Sequence, residues 1–165
     1  MLKDLSKQQG FTLVELVLTL VILGIIAAVS LPKFFNQSTF DERFFYDDII
    51  SAARYAQRLA VGSGCAVRFS VSSLGYSLDQ DNNCDLSSPS YTLAVVRPSD
   101  SEAFSNNDKP SGVTIITSNT AYFFLPQGGA VDSAGVSVGN ATITLAGSDS
   151  INRTINITGG TGYAY

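Results

Sequence analysis

Gly10-Phe11-Thr12-Leu13-Val14-Glu15 sets one carboxylate near the start of an otherwise uncharged run that extends from Phe11 to Pro32. Burying a carboxylate at bilayer depth costs about 2.5 to 3.5 kcal/mol on insertion scales, and less near a helix end, so an ionisable residue there calls for a function. Its candidate partner is a group that the intact chain lacks. A cut after Gly10 would create an amino group on Phe11, four residues before Glu15 and on the same helix face. Residues 16–31 carry no charge, with only Thr19 and Ser30 hydroxylic; counted from Phe11 the run is 21 residues, enough to cross a bilayer as a helix. Residues 1–10 are short and polar, with Lys3 and Lys7 against Asp4. Positive-inside logic keeps that tip in the cytoplasm and sends the remainder to the far side.

Two rival readings use the same residues. A secretory signal would take Lys3 and Lys7 as its basic region and Ala28-Val29-Ser30 as its cleavage site. A plain anchor would leave Glu15 incidental. Pro32 has no N–H to donate and clashes with the carbonyl four residues earlier, so a kink is predicted near residues 28–32. Beyond it, Phe45, Ile49, Ala52, Ala56 and Leu59 step by four and three, and Asp48, Ser51, Arg54, Tyr55 and Arg58 occupy mostly the remaining surface. That is the pattern of an amphipathic helix over residues 33–62. Thr39 with Glu42 is a candidate capping box, and Gly62 or Gly64 a candidate end. A continuous helix from Phe11 to Val61 would extend about 75 Å.

After Gly64 the apolar period changes to two. Strands are predicted over residues 66–71, at Tyr76 and Leu78, and over 91–97, 113–117, 122–125, 141–145 and 154–158, with polar and glycine-rich turns between them. Residues 99–112 read as a surface loop in which Phe104 is the sole large apolar residue. Tyr163-Ala164-Tyr165 reads as either an exposed contact surface or an edge strand that closes the head.

Composition narrows the function. The 165 residues hold 10 Lys and Arg against 14 Asp and Glu, a net charge of -4. Loss of residues 1–10 would leave 8 against 13, or -5. Arg54, Arg58, Arg68, Arg97, Lys109 and Arg153 are scattered, so nucleic acid is a poor partner. The chain has no histidine, which removes the commonest zinc ligand and the commonest general base. No nucleophile and base can be nominated, and no cofactor or enzyme activity is expected. Cys65 and Cys84 suit one disulfide in an oxidising compartment, the alternative being two unrelated thiols. Asp79, Asp81, Asn83 and Asp85 alternate like a calcium loop. Cys84, however, stands where an EF-hand needs Gly, and Ser90 where it needs Glu, so a solvated turn beside the disulfide competes with that reading. The sequons at Asn140, Asn152 and Asn156 read as turn and strand residues.

The G-F-T-L-x-E string, the apolar helix, Pro32, the amphipathic continuation and a β-rich remainder resemble the precursors of type IV pilins and type II secretion pseudopilins. Residues 44–48 (Phe-Phe-Tyr-Asp-Asp), 54–60 (Arg-Tyr-Ala-Gln-Arg-Leu-Ala), 124–128 (Phe-Leu-Pro-Gln-Gly) and 160–163 (Gly-Thr-Gly-Tyr) are similar to minor subunits of the GspH/FimT type. Among these, the Arg-Tyr-Ala-Gln helix is most similar to minor pilins of mannose-sensitive haemagglutinin pili. The resemblance implies an α+β pilin fold, with a long N-terminal helix packed on an antiparallel β-sheet head. It divides the chain into a leader (1–10), a transmembrane helix (11–32), an amphipathic helix (33–62) and a periplasmic head (65–165). It also implies that a prepilin peptidase/methyltransferase cuts between Gly10 and Phe11 and methylates Phe11, and that Glu15 is the assembly carboxylate. The implied partners are other pilin or pseudopilin subunits, an inner-membrane assembly platform and the lipid of the bacterial inner membrane. The implied location is that membrane, single-pass, and from there a pilus at the cell surface.

Overall fold

The computed structural model describes residues 10–34, 37–147 and 151–165, and side-chain surroundings within residues 29–37 fall outside that description. Residues 1–9, most of the expected leader, lie outside the described residues. Two helices come first, α1 (Leu13–Phe34) and α2 (Gln37–Ser63). The chain divides between Gln37 and Ser38 into an N-terminal unit and a head. The α1 backbone is helical through Pro32. Among the described residues, no helix is long and apolar enough to cross a membrane.

Among the described residues nine strands follow: β1 (Val67–Val71), β2 (Tyr76–Gln80), β3 (Leu93–Ala94), β4 (Ser105–Asn106), β5 (Thr114–Thr117), β6 (Ala121–Phe124), β7 (Ala130–Val131), β8 (Asn140–Ala146) and β9 (Asn152–Thr158). They form two antiparallel sheets. One has the order β3-β2-β1-β6-β7 with β4 also on β2, and the other is β5-β8-β9. Alternation along β1, β8 and β9 places Val67, Phe69 and Val71, then Ala141, Ile143 and Leu145, then Ile155 and Ile157, on buried faces. From α2, Phe45, Ile49, Ala52 and Ala56 enter this core as their spacing predicts, joined by Ala53 and Ala60. Four alanines on one face let the helix lie close to the sheets, since a methyl group adds little thickness. The aromatic layer beneath is Phe69, Tyr76, Tyr122 and Phe124, all buried. Tyr122 also links the two sheets, its hydroxyl lying 2.7 Å from Thr117 Oγ1 and 3.4 Å from the Thr142 carbonyl.

Three local expectations need correction. Thr39 and Glu42 do not cap a helix, because α2 already begins at Gln37. Glu42 instead turns into the head, 2 % exposed, with its Oε2 4.0 Å from a guanidinium nitrogen of Arg153 on β9. Residues 99–112 are not merely a surface loop. Phe104 is buried against Tyr55, with ring centroids 5.1 Å apart, and Ser105–Asn106 pairs with β2 as β4. Gly75 admits that approach, since a Cβ there would stand 1.8 Å from the Asn106 carbonyl oxygen. The strand expected over 91–97 shrinks to Leu93–Ala94 plus a single bridge from Val96 to Ala103. The short strand β7 had no sequence signal of its own.

Cys65 and Cys84 form a disulfide with a sequence separation of 19, tying the chain just after α2 to the turn beyond β2. Closing a loop of this length stabilises the fold by about 3 kcal/mol on the chain-entropy model. Replacing both cysteines by serine is expected to lower the melting temperature of the head by about 10 °C. Thermal melting with and without reductant checks this, and an unchanged midpoint would refute it.

The C-terminus resolves the choice left at residues 163–165. Ala164 is buried and bridges Ile157, while Asn156 and Tyr165 exchange backbone hydrogen bonds of 2.8 and 3.0 Å. Arg54 Nε and Gln57 Nε2 of α2 donate to the carbonyls of Ala164 and Thr161, at 2.9 and 3.0 Å. Gly162, at φ 65°, permits the turn, because a Cβ there would meet the Gly128 carbonyl oxygen at 2.6 Å. The tail is therefore an edge segment closing the head. Its Tyr163 and Tyr165 rings stack at 6.0 Å and remain half exposed.

Candidate functional site

The candidate site is the junction at the start of α1. Gly10 is exposed, and a Cβ built on it would meet nothing within 4 Å. Phe11 follows with 76 % of its surface exposed. Thr12 is the residue before the first helical position, and its Oγ1 accepts the Glu15 N–H at 3.3 Å. This is an N-cap on the third helical residue, so Thr12-x-x-Glu15 has the spacing of a capping box. The identical spacing at Thr39 and Glu42 lies inside a helix instead. The sequence reading assigned the box to the wrong pair, although the signature was present at residues 12–15. Glu15 therefore occupies the first turn of α1, where the unsatisfied N–H groups and the helix dipole favour negative charge.

Residues 10–28 are all exposed, including Leu13, Val14, Leu16, Val17, Leu18, Leu20, Val21, Ile22, Leu23, Ile25 and Ile26. Apolar side chains therefore stand on every face of this part of α1, unlike the single stripe of a surface helix. The arrangement offers no nucleophile and base. It offers a carboxylate, a cap and a long apolar surface, which are suited to assembly.

Elsewhere most of the cations weighed for nucleic acid are already engaged, Arg58 remaining exposed. Arg68 donates to Asp79 Oδ2 at 2.8 Å and to the Tyr91 carbonyl at 3.2 Å, with Tyr91 beneath its guanidinium. Arg97 donates to the Ser105 carbonyl, Lys109 to the Val113 carbonyl, and Arg54 to the C-terminal segment. These cations hold the head together and do not line a phosphate track. The four residues of calcium-like spacing are likewise not gathered around one point. Asp79 is on β2 in its ion pair, and Asp81 is buried with its Oδ1 accepting the Ser90 N–H at 2.7 Å. Asn83 and Asp85 are exposed in the turn, where hydrogen bonds from Ser87 hold the Asp85 carboxyl below its ordinary pKa. Among the described residues, no cluster of three or more His, Cys, Asp or Glu side chains is placed to hold a metal ion.

A cavity of about 460 Å³ lies between the disulfide-bonded turn and the β6–β7 hairpin, lined by Leu86, Tyr91, Phe123, Leu125 and Val131 with Arg68 and Asp132. Both charges are committed: Arg68 as above, and Asp132 Oδ1 to the N–H groups of Ala134 and Val136. Burial raises the Tyr91 pKa, reinforced by Asp81 and opposed by Arg68. Burial raises that of Tyr76 further, with Asp48 nearby and negative. The Asp48 carboxylate also accepts from Asn106 Nδ2 at 2.8 Å. These shifts follow from core packing and do not mark a reactive centre.

Comparison with known proteins places both ends of this description. Residues 5–31 match the prokaryotic N-terminal methylation motif. Residues 46–161 match the family described as type II transport protein GspH, well over half of the chain. The chain belongs to the GspH family. This GspH-family chain is similar in fold to the type IV minor pilin FimU of Pseudomonas aeruginosa strain PAO1. Against one crystal form the identity is 13 %, with 79 % of this chain and 87 % of FimU covered at a TM-score of 0.52. Against a second form the identity is again 13 %, with 74 % and 90 % covered at 0.49. At that identity the first match establishes the fold: an α+β architecture with a helix packed on antiparallel sheet. Family and motif together make the GspH-family chain a minor pilin or pseudopilin, of a type IV pilus or of type II secretion.

Proposed function

We propose that this GspH-family chain is a minor pilin of a type IV pilus, one of the mannose-sensitive haemagglutinin kind, acting in pilus assembly or initiation. The observation that carries the reading is the exposed first turn of α1 within the methylation motif, with Glu15 capped from Thr12 and Phe11 just before it. In the proposed sequence of events, the chain enters the inner membrane through residues 11–32 with its head in the periplasm. A prepilin peptidase cuts between Gly10 and Phe11 and methylates the new amine, which keeps its positive charge. An assembly platform then extracts the subunit, and Glu15 neutralises the Phe11 amine of the subunit added before it. In a low-dielectric helix bundle an unmatched charge is costly, so the pair sets axial register. Pro32, which removes one N–H from the α1 ladder, is the weak point at which the helix loosens during extraction.

A type II secretion pseudopilin is the second reading, favoured by the GspH match over residues 46–161. Processing is common to both. The intact mass of the chain isolated from membranes should correspond to residues 11–165 plus one methyl group, with the disulfide intact. A chain that retains residues 1–10, or that starts after Ser30, would refute the reading. Copurification then separates the two systems, because a pilus subunit brings down pilins and a pseudopilin brings down secretion components.

A further inference from the structure

The three-stranded sheet β5-β8-β9 has an open edge at β5. Ser118 N–H donates to the Thr142 carbonyl at 3.0 Å, and the β5–β8 register pairs Ile116 with Thr144 and Thr114 with Ala146. Antiparallel ladders alternate between hydrogen-bonded and non-hydrogen-bonded pairs. Ser118, Ile116 and Thr114 therefore direct their backbone groups to β8, whereas Ile115 and Thr117 direct theirs away from it. Among the described residues, nothing pairs with those outward N–H and C=O groups.

Other edges are closed in part. On β9, Asn156 and Thr158 bond to Tyr165 and Tyr163. On β7, Val131 bridges Ser137. At the start of β5, Val113 donates to the Pro110 carbonyl and accepts from Lys109 Nζ. Exposed edges are normally blunted by charge, proline or a bulge. Residues 111–122 contain no charge and no proline, and Ile116 is 59 % exposed on the outer face. Such a β-branched, uncharged segment is competent to pair.

The segment is also complementary to itself. With a twofold axis through Ile116, Ile115 of one copy faces Thr117 of the other, and both present their free backbone groups. Each such pair exchanges two hydrogen bonds. Ile116 then meets its twin in a non-hydrogen-bonded pair, the geometry in which Cα atoms approach to about 4.5 Å and side chains touch. Thr114 lies opposite Ser118, and no charge meets its like. Centring the axis on Ile115 would instead set Thr117 against Val113, whose backbone groups are taken. We infer that β5 is a homotypic pairing edge that joins the heads of two copies of this chain into one continuous antiparallel sheet. A twofold pair is closed and does not propagate, so it describes subunits outside the polar filament and stands independently of the filament reading.

The test uses the full chain carrying Ile116→Cys, oxidised in isolated membranes. A reducible homodimer is expected at a level at least about tenfold above that from Val136→Cys, as the short cross-strand distance requires. In detergent, the wild-type chain should sediment as a concentration-dependent dimer. Ile116→Lys, which opposes two ammonium groups across the axis at an exposed site, should return it to monomer with an unchanged melting temperature. A wild-type monomer at every concentration overturns the inference. So do equal cross-linking at residue 136, a dimer indifferent to Ile116→Lys, and cross-linking of residue 116 only to a different protein.

Discussion

Gly10→Val is expected to leave the precursor uncut while the head folds unchanged. A Cβ at residue 10 meets nothing within 4 Å, and this glycine needs no left-handed backbone conformation. Nothing among the described residues therefore requires glycine there. On the proposed function the requirement belongs to the peptidase, in whose site a β-branched side chain next to the scissile bond displaces the reacting carbonyl. A displacement of about 1 Å costs on the order of a hundredfold in rate. Intact-mass measurement of the membrane-bound chain should thus find residues 1–10 retained in the variant and removed in the wild type, with equal melting temperatures. Normal processing of Gly10→Val would remove the cut from this junction.

Glu15→Leu should separate processing from assembly. The variant keeps Gly10 and Phe11, so cleavage proceeds, but the amine of the neighbouring subunit then lies in an apolar bundle without a counter-charge. Breaking a buried ion pair by deleting one member costs about 3 to 5 kcal/mol. Incorporation into pili should fall by at least about a hundredfold, as counted by immunoblot of sheared filaments. The competing explanation is local. Glu15 lies in the first turn of a helix capped by Thr12, so on that explanation its loss acts at the helix start, by removing a negative charge from the positive end of the dipole. Thr12→Ala removes the cap, worth about 1 kcal/mol, and keeps the carboxylate. Assembly that tolerates Thr12→Ala but not Glu15→Leu identifies the intersubunit pair. Equal losses would assign the effect to the helix start.

The two glutamates differ in what local sequence shows of them. Glu15 stands out because an acid in an uncharged run is an energetic anomaly whatever the fold. The place of Glu42 does not. Its spacing from Thr39 has the form of a capping box, yet its role is set by Arg153, more than a hundred residues later on β9. Phe104 repeats the lesson. Within a polar interval it read as an exception on a loop, whereas Tyr55 of α2 and Tyr76 of β2 enclose it. The α2 stripe was legible for Phe45, Ile49, Ala52 and Ala56 because a helix buries residues three and four apart. Leu59 proved only partly buried, since Ala60 occupies the deepest position at that end.

Local periodicity thus sufficed for the apolar first helix, the amphipathic second and a head of short antiparallel strands. The disulfide also followed from a count of two cysteines. Pairing is different in kind. That β1 lies beside β6 as well as β2, that β5, β8 and β9 form a separate sheet, and that β5 keeps unspent backbone groups at its outer edge, all depend on residues distant in the chain. Each alternating strand has much the same local pattern, so its choice of neighbour is decided by which arrangement buries Phe69, Tyr122 and Ile143 together against α2. That choice is a property of packing in three dimensions, to which no window of sequence has access.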